Sequence, residues 1–475
     1  MSITKGIVVA VLALVIALLI ALAWYATPIL RGGSGYAAKN LCSGHFLSRM
    51  SPETILEEAL LTASPLLADI DYVVDTQKKQ VDVTMFGMFA RTAKYSPGIG
   101  CTLMPHGSDA DPEPIVAQAY ASKPADQPWP QGTAAPSIRA DIQSLLDDAF
   151  TEQDLNEPKK TKAVVVIHKG QLIAEQYAPG IDATSPLIGW SMTKSVTNLL
   201  LGALVSDGKL STAAPAPVPI WQATPSDLRA SITLEHLMRM SSSLEFIEDY
   251  NLDSDVTHML SNISDMGDFA ADKPLISTAG STWSYSSGTT NILTGIIRRT
   301  VGGDKQALYD FIQDSLFQPL GLSTATLEMD AAGTPIGSSY MYASARDWAR
   351  LGQFCLDDGV WNGKRIMPMG WINYSTTPAP ARPANDYGAQ FWLNKDPSDT
   401  NQQRSMPSVA PDMFSMNGYQ GQKVLMIPSA ELVIVRLGFT PRGNHGVEAL
   451  TATIIDRLHL SAEEVPAEPD SSPTI

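Results

Sequence analysis

Residues 162–210 constrain the fold more than any other stretch, because they predict a strand pair followed closely by a buried helix. Residues 162–177 contain two apolar runs on either side of the turn-like sequence HKGQ, a pattern typical of two strands joined by a short turn. Residues 195–210 are largely apolar and end at Asp207-Gly208, where glycine suits the left-handed end of a helix. The sequence between these elements therefore leads from a hairpin into the start of a helix.

Ser191 and Lys194 lie in this intervening sequence, three residues apart. Positions i and i+3 share one face of a helix, so the lysine amine is predicted to lie beside the serine hydroxyl. A hydroxyl becomes a good nucleophile when a neighbouring base takes its proton, and burial lowers the pKa of a lysine enough for it to help. The pair predicts acyl transfer. The same spacing at Ser2 and Lys5, ahead of an apolar segment, means that the pattern is informative only through its context.

Two further motifs provide that context. The sequence TWSYSSG, with Tyr285 and Ser287, precedes an apolar helical run, and the sequence MNG at residues 416–418 precedes an apolar hairpin. Together with the serine–lysine pair, these motifs resemble those of the penicillin-recognising serine hydrolases, which include class C β-lactamases and DD-peptidases. The resemblance spans residues 137–460 and is closest to the 6-aminohexanoate dimer hydrolase branch, which shares the serine at Ser287. It implies that Ser191 is the nucleophile and that Tyr285 is the general base or proton shuttle.

The third motif departs from the superfamily at one position. Met416, Asn417 and Gly418 stand, by resemblance, for the Lys-Thr-Gly or His-x-Gly strand that contributes to the substrate site. A methionine cannot hold a substrate carboxylate as lysine or histidine would, so substrates with a carboxylate beside the scissile bond are disfavoured. The alternative is that the glycine only permits a tight entry into the strand. The resemblance also assigns the developing oxyanion to the backbone N–H groups of Ser191 and Tyr419.

A loop that begins near residue 240 resembles the one that shapes the pocket in the nylon-oligomer hydrolases. Within it, Asp249 and Tyr250 are candidates for binding a substrate amine or amide. The alternative is a solvated acidic loop.

The predicted fold is α+β, of the β-lactamase/transpeptidase type. By resemblance, an antiparallel sheet built from the strands at 162–177 and 422–438 is flanked by terminal helices at 138–150 and 446–460. A mostly helical lobe is inserted between the strands, and the nucleophile is expected in the cleft between the two lobes.

The N-terminus predicts a membrane anchor. Residues 7–26 are apolar and close to the 20 residues that cross a hydrocarbon core of roughly 30 Å, and Trp24 and Tyr25 suit the interface. We therefore expect residues 1–29 to hold the protein in the inner membrane, with the catalytic domain periplasmic or extracellular. The competing interpretation is secretion after signal cleavage at Ala21-Leu22-Ala23.

Cysteine positions agree with export. Cys42 and Cys101 flank strand-like sequence and are candidates for a disulfide in an oxidising compartment, whereas Cys355 lies in a helical stretch. The sequence after the apolar segment divides into four predicted parts. A small cysteine-bearing region (residues 30–107) is followed by a Pro/Ala-rich connector (108–136), a hydrolase domain (137–460) and a disordered acidic tail (461–475).

Several other chemistries find no support in the sequence. The nucleophile elbow of α/β-hydrolases is missing, and so are zinc-binding and nucleotide-binding motifs, so neither a metal nor a cofactor is expected. A formal net charge of −16 argues against nucleic acid as a partner. The sequence leaves the oligomeric state open.

These patterns predict a membrane-tethered serine hydrolase that acts on small-molecule amides first and esters second. One alternative is a β-lactamase or DD-peptidase, which Met416 makes less favourable. Another is a catalytically silent binding or sensor domain that keeps the fold, against which the presence of Ser191, Lys194 and Tyr285 weighs.

Overall fold

The computed structural model describes residues 3–458 apart from residues 109, 121–126, 155, 252, 399–401 and 442–444, so the predicted disordered tail lies outside the described residues. Its α-helices are α1 (Ile3–Phe46), α2 (Pro52–Ile55), α3 (Leu61–Ala63), α4 (Ala140–Gln143), α5 (Asp147–Phe150), α6 (Thr193–Ser206), α7 (Pro219–Gln222), α8 (Leu234–Met238), α9 (Asp255–Asn262), α10 (Met266–Ala271), α11 (Ser287–Thr300), α12 (Lys305–Ile312), α13 (Gln318–Leu320), α14 (Ala345–Leu356), α15 (Trp371–Thr376) and α16 (Val447–Arg457). Its strands are β1 (Ile70–Asp75), β2 (Gln80–Met85), β3 (Met88–Ser96), β4 (Gly100–Leu103), β5 (Thr161–His168), β6 (Gln171–Tyr177), β7 (Leu187–Ile188), β8 (Thr326–Leu327), β9 (Met341–Ala343), β10 (Val360–Trp361), β11 (Lys364–Arg365), β12 (Trp392–Leu393), β13 (Phe414–Gly418), β14 (Gln422–Ile427) and β15 (Leu432–Gly438).

A six-stranded antiparallel sheet, in the order β12-β13-β14-β15-β5-β6, forms the centre of the part of the chain that begins at β5. Alternate residues of β5 enter different cores: Val165 packs in the cluster that contains Trp348 of α14, and Val166 in the cluster that contains Ile454 of α16. Because both faces are covered, the strand β15 is buried at every position and reads as a nearly continuous apolar run.

The predicted hairpin is present as β5 and β6. Lys169 and Gly170 connect the strands with φ angles of 50° and 71°. Two left-handed residues are what a tight two-residue hairpin turn requires, because its twist then matches that of the strands. The chain next passes through β7 to the start of α6.

A largely helical lobe separates the hairpin from the last strands of the sheet, as predicted. It consists of helices α6 to α13, with long loops between α8 and α9 and between α10 and α11, and α11 packs against α6, α8 and α10. A small sheet in the order β7-β9-β8 includes the strand β7, which comes directly before the turn that begins α6. The fold is therefore α+β, with an antiparallel sheet and a helical lobe on one side.

The flanking helices match the prediction at one end and differ at the other. Helix α16 lies where a closing helix is expected, but residues 138–150 form the two one-turn helices α4 and α5 instead of one helix. The Gln143 side chain exchanges hydrogen bonds of 3.1 and 3.0 Å with the backbone of Glu175 on the edge strand β6. These bonds hold the segment along the sheet edge, in place of a continuous helical ladder.

Helix α1 extends across the boundary predicted at residue 29. Its described side chains between residues 8 and 21 are exposed, whereas most of those from residue 34 to residue 44 are buried. By length and composition, α1 is the one described helix that is able to cross a membrane.

The buried half of α1 packs against the antiparallel meander β1 to β4 and is joined to it by a disulfide between Cys42 and Cys101. Both elements contact the part of the chain that follows the connector through Glu328, which is fully buried. Glu328 accepts hydrogen bonds from Lys39, from the Ser43 hydroxyl at 2.9 Å and from the Cys101 backbone N–H at 2.6 Å. The N-terminal region, residues 30–107, is therefore packed on the rest of the molecule.

Residues 113–118 of the predicted connector contact α12. Lys305 donates to the Glu113 carbonyl at 2.6 Å, and the Gln306 carboxamide accepts from the Val116 N–H at 2.7 Å. These contacts fix part of the connector to the helical lobe.

Candidate active site

Ser191 lies in a turn that the neighbouring strands hold firmly. Residues Trp190–Met192 form one turn of 3₁₀ helix directly before α6. The Gly189 N–H donates to the Met341 carbonyl at 2.8 Å, and the Met341 N–H donates to the Thr193 hydroxyl at 3.1 Å. Strand β9 therefore clamps the turn on both sides of the serine, which is only half-buried and open to a substrate.

Trp190, the residue before the serine, has a φ of 47°. A left-handed conformation costs a non-glycine residue roughly 1–2 kcal/mol, so it persists only where the surroundings hold it. The Trp190 side chain is buried and lies between the rings of Tyr36, Tyr340 and Tyr419, with centroid distances of 6.2, 5.6 and 5.9 Å. The packing of the indole stabilises the backbone at this position.

Lys194 is buried beneath the serine, with 1% of its surface exposed. Its Nζ donates to the Ser191 hydroxyl at 3.1 Å, to the Ser287 hydroxyl at 2.9 Å and to the Ser338 carbonyl at 3.0 Å. Burial lowers the pKa of Lys194 to about 8, although the negative charge of Glu248 raises it in part. At pH 7 roughly a tenth of this amine is therefore unprotonated, and the fraction rises to about half at pH 8.

The partners of Lys194 determine where its lone pair points. The Ser287 hydroxyl donates its single proton to Glu248 at 2.5 Å, so towards the lysine it can only accept. The Ser338 carbonyl also only accepts. Two N–H bonds of a neutral Lys194 are thus committed to these acceptors, and its lone pair faces the Ser191 hydroxyl.

Glu248 is a site residue that the sequence interpretation passed over in favour of its neighbour Asp249. Its carboxylate accepts from the Ser287 N–H at 2.7 Å and from the Tyr250 hydroxyl at 3.1 Å. Asp249 is exposed and accepts both hydrogen bonds of Asn251, at 3.0 and 2.8 Å, within its own loop. Successive side chains of this loop point to opposite sides, so Glu248 and Tyr250 face Ser287 and Asp249 does not.

Tyr285 lies against the same pair of residues. The Lys194 Nζ is 4.8 Å from the centre of its ring, and its phenol forms hydrogen bonds with Ser191 and with the indole of Trp392. Burial raises the pKa of Tyr285, and these two hydrogen bonds lower it only in part. The phenol is therefore protonated at neutral pH, and its position suits a group that receives one proton while it donates another.

Aromatic rings form two walls around these groups. On one side, Tyr285 packs with Tyr387 and Trp392 at centroid distances of 5.8 and 5.4 Å. On the other side, Tyr250 stacks on Tyr419 at 6.5 Å with an interplanar angle of 8°. Both Tyr250 and Tyr419 are substantially exposed, at 52% and 43%, so they present open ring faces for an apolar stretch of a substrate.

The MNG motif forms the end of β13, next to the serine turn. Met416 is fully buried and pairs with Val424, while the Asn417 carboxamide oxygen is buried without a hydrogen-bond partner among the described residues. A Cβ atom on Gly418 would lie 2.1 Å from the Gly189 carbonyl oxygen. Only glycine therefore lets β13 approach the turn that carries Ser191 this closely.

The structure thus brings Ser191, Lys194, Tyr285, Ser287 and Tyr250 together in one hydrogen-bonded or packed cluster, with Gly418 and Tyr419 at its edge. Asp249 lies outside this cluster, and Met416 is directed into the core. Among the described residues, no group of three or more His, Cys, Asp or Glu side chains is arranged to hold a metal ion.

The chain resembles known proteins over this same region. The Beta-lactamase family model matches residues 154–456, which is more than half of the chain. The 6-aminohexanoate-dimer hydrolase of Paenarthrobacter ureafaciens is 26% identical over 348 residues, which cover 67% of this chain and 83% of that protein.

Solved structures agree on the fold. A structure from Bacillus anthracis, described as a candidate 6-aminohexanoate-dimer hydrolase, has a TM-score of 0.54 at 21% identity and covers 74% of this chain and 92% of its own. SurE in complex with D-Leu has a TM-score of 0.51 at 16% identity, over 70% of this chain and 79% of its own. The chain belongs to the β-lactamase family and is a serine hydrolase similar to 6-aminohexanoate-dimer hydrolases.

Proposed function

We propose that this protein is a membrane-tethered hydrolase that cleaves amide or ester bonds of small molecules through an acyl-enzyme on Ser191. The observation that carries the proposal is the buried Lys194 amine, which lies 3.1 Å from the Ser191 hydroxyl with its other two hydrogen bonds committed elsewhere. A base held in this way, with a pKa of about 8, is suited to activate a serine at neutral pH.

In the first step, the Ser191 oxygen attacks the substrate carbonyl carbon while its proton passes to the neutral Lys194. The carbonyl π electrons move to the oxygen and form a tetrahedral oxyanion. We propose the backbone N–H groups of Ser191 and Tyr419 as its donors, and loss of one such donor typically costs about 3 kcal/mol.

In the second step, the leaving nitrogen or oxygen must receive a proton as its bond to the carbonyl carbon breaks. The Tyr285 phenol contacts Ser191 and lies beside Lys194, so it can donate its proton to the leaving group and recover one from the lysine. Water then attacks the acyl-enzyme by the same proton path, releases the acid and restores the serine hydroxyl.

Ser287 and Glu248 act as positioning groups in this scheme. The carboxylate fixes the Ser287 hydroxyl as an acceptor towards Lys194, and its negative charge favours the lysine cation that forms during the attack. Neither side chain needs to touch the substrate for this role.

The surroundings favour neutral amides as substrates. Met416 provides no cation at the third motif, whereas the exposed faces of Tyr250 and Tyr419 suit a flexible apolar chain. Similarity to the dimer hydrolase of Paenarthrobacter ureafaciens supports short linear amides as the first choice, with esters second.

A comparison of substrates tests this proposal. Full-length protein in detergent would be assayed with a short linear aliphatic amide, a p-nitrophenyl ester, a cephalosporin and a D-Ala-D-Ala peptide, next to Ser191→Ala. We expect turnover of the amide or the ester that Ser191→Ala abolishes. Predominant turnover of the cephalosporin or the peptide would instead assign a β-lactamase or DD-peptidase. No turnover and no acylation would favour a silent binding domain.

We further propose that residues 7–26 tether the enzyme, with the hydrolase domain of residues 137–460 outside the cytoplasm. The exposed apolar surface of α1 supports the tether, and the Cys42–Cys101 disulfide supports an oxidising compartment. Extraction of membranes with alkaline carbonate tests the tether: we expect the protein in the pellet. Release of a shortened chain into the supernatant would show that the segment is cleaved.

A further inference from the structure

Two left-handed residues flank the proposed oxyanion donors. Trp190, with a φ of 47°, directly precedes Ser191, and Gln420, with a φ of 58°, directly follows Tyr419. The peptide that joins residues 190 and 191 carries the Ser191 N–H, so the backbone conformation of Trp190 sets the direction of that donor. The two residues are also joined to each other, because the Trp190 indole N–H donates to the Gln420 carboxamide oxygen at 3.3 Å.

The N-terminal region, residues 30–107, holds Gln420 in place. The Gln420 carboxamide nitrogen donates to the Thr62 hydroxyl at 2.7 Å and to the Ala59 carbonyl at 3.3 Å. Gln420 is buried, so these are bonds between structured parts of the protein and replace bonds to water. The Gln420 carboxamide accepts a hydrogen bond from Trp190 through its oxygen and donates one to Thr62 through its nitrogen. It therefore links the N-terminal region to the two left-handed residues, Gln420 itself and Trp190.

The same region holds Trp190 directly. The ring of Tyr36, on α1, stacks on the Trp190 indole with an interplanar angle of 9° and a centroid distance of 6.2 Å. Tyr340 also packs against the indole, at a centroid distance of 5.6 Å, and the centre of its ring is 4.5 Å from the Lys39 Nζ. Together with Tyr419, these two rings come from parts of the chain that are distant in sequence and surround the indole.

Glu328 anchors this arrangement. It forms a buried ion pair with Lys39, and its backbone N–H donates to the Tyr340 carbonyl at 2.9 Å. Burial lowers the pKa of Lys39 and raises that of Glu328, while their mutual attraction opposes both shifts. Either charge alone in this interior would be unfavourable, so the ion pair favours the arrangement in which the N-terminal region is packed against Glu328.

We propose that the N-terminal region is part of the active-site framework, and that Tyr36 and Thr62 are positioning residues that orient the oxyanion donors through Trp190 and Gln420. All of this region lies outside the residues 154–456 that match the family model. The inference rests on the proposed role of Ser191.

The test compares variants of Thr62 in the full-length protein. Thr62→Val removes the shorter of the two hydrogen bonds of the Gln420 carboxamide nitrogen at nearly constant volume and leaves the 3.3 Å bond to the Ala59 carbonyl, whereas Thr62→Ser retains both. Thr54→Val serves as a control, since among the described residues the Thr54 hydroxyl bonds Ser51 and not Gln420. For each, kcat and KM are measured per active site titrated with a fluorophosphonate, together with inhibition by a boronic acid that mimics the tetrahedral intermediate.

We expect Thr62→Val to lower kcat about tenfold with KM nearly unchanged, less than the 10²–10³ typical when an oxyanion donor is deleted outright. Boronate affinity should fall by a similar factor, and Thr62→Ser and Thr54→Val should behave as wild type. In a second pair of variants, Tyr36→Phe should behave as wild type and Tyr36→Leu should lower kcat, because only phenylalanine keeps an aromatic ring stacked on Trp190.

If Thr62→Val and Tyr36→Leu lower the thermal midpoint but leave kcat per titrated site unchanged, the N-terminal region only stabilises the fold and the inference is wrong. If wild-type protein is not titrated at Ser191 at all, the proposed function fails instead. The two failures are therefore distinguishable.

Discussion

The Nζ atom of Lys194 lies 3.1 Å from the hydroxyl oxygen of Ser191, and both of its remaining hydrogen bonds go to oxygens that can only accept from it. The neutral form of this amine is therefore the form that can take the serine proton. Because burial brings its pKa to about 8, the balance between the two forms changes within an accessible pH range.

This relationship predicts the pH dependence of the reaction. We expect kcat/KM to rise with pH through an apparent pKa near 8, since the active form is the deprotonated lysine. Lys194→Arg should remove this rise and lower kcat/KM by about 10²–10⁴-fold, the usual contribution of a general base. The check is a stopped-flow measurement of kcat/KM between roughly pH 6 and pH 10. This range includes both the lowered pKa of Lys194 and the ordinary pKa of a lysine. A profile that is flat through pH 8 would contradict the assignment of Lys194 as base.

Glu248 is expected to adjust that profile. Its charge raises the pKa of Lys194, so Glu248→Gln should lower this pKa and move the rising limb of kcat/KM to lower pH. Glu245→Gln, an exposed carboxylate on the same loop, is the matched control and should leave the limb in place. If kcat/KM rises at the same pH in both variants, Glu248 does not act electrostatically on Lys194.

Tyr285 is predicted to transfer a proton and not to serve as a permanent phenolate, because burial raises its pKa. Tyr285→Phe keeps the ring beside Lys194 but removes the hydroxyl, and we expect kcat for an amide to fall by about 10²–10³-fold. An ester with a p-nitrophenolate leaving group needs little protonation, so its acylation should be affected much less. Equal losses for both substrates would argue against a role in protonating the leaving group.

Gly418 is predicted to be required for steric reasons. Alanine there would place a Cβ atom 2.1 Å from the Gly189 carbonyl oxygen, which forces β13 away from the turn that carries Ser191. We expect Gly418→Ala to cost about 1–3 kcal/mol of stability and to lower kcat at least tenfold, as is usual for overpacking beside a site. Gly295→Ala in α11, where the nearest atom would be 3.4 Å away in a flexible arginine, should be tolerated. Unfolding in urea and steady-state kinetics compare the two.

The fold and the motif residues were predictable because their signals are local. The hairpin, the helix after Ser191 and the helix after Ser287 each follow from apolar periodicity and turn residues within about 20 positions. The resemblance of three short motifs then placed Ser191, Lys194 and Tyr285 in one cleft, where the structure brings them into contact.

Glu248 was missed because its role depends on contacts across the chain. It bonds to Ser287, 39 residues away, through a loop in which Tyr250 has a φ of 58°. No periodic pattern predicts such a loop, so Asp249, its neighbour of the same charge, was an equally good candidate from sequence.

The packing of the N-terminal region was missed for the same reason. Lys39 and Glu328 are separated by 289 positions, and a buried lysine in a helix is indistinguishable in sequence from a solvated one. The disulfide candidates Cys42 and Cys101 indicated an oxidising compartment, and not what the region packs against.

The central claim is that Ser191 is the nucleophile of an acyl-transfer reaction, and covalent labelling tests it most directly. Folded full-length protein would be treated with a fluorophosphonate, and the intact mass and the labelled peptide would be determined by mass spectrometry. The predicted result is a single adduct on Ser191 that forms faster as the pH rises through 8 and is absent from Ser191→Ala. Labelling at another residue, or no adduct on the folded wild-type protein, would contradict the account.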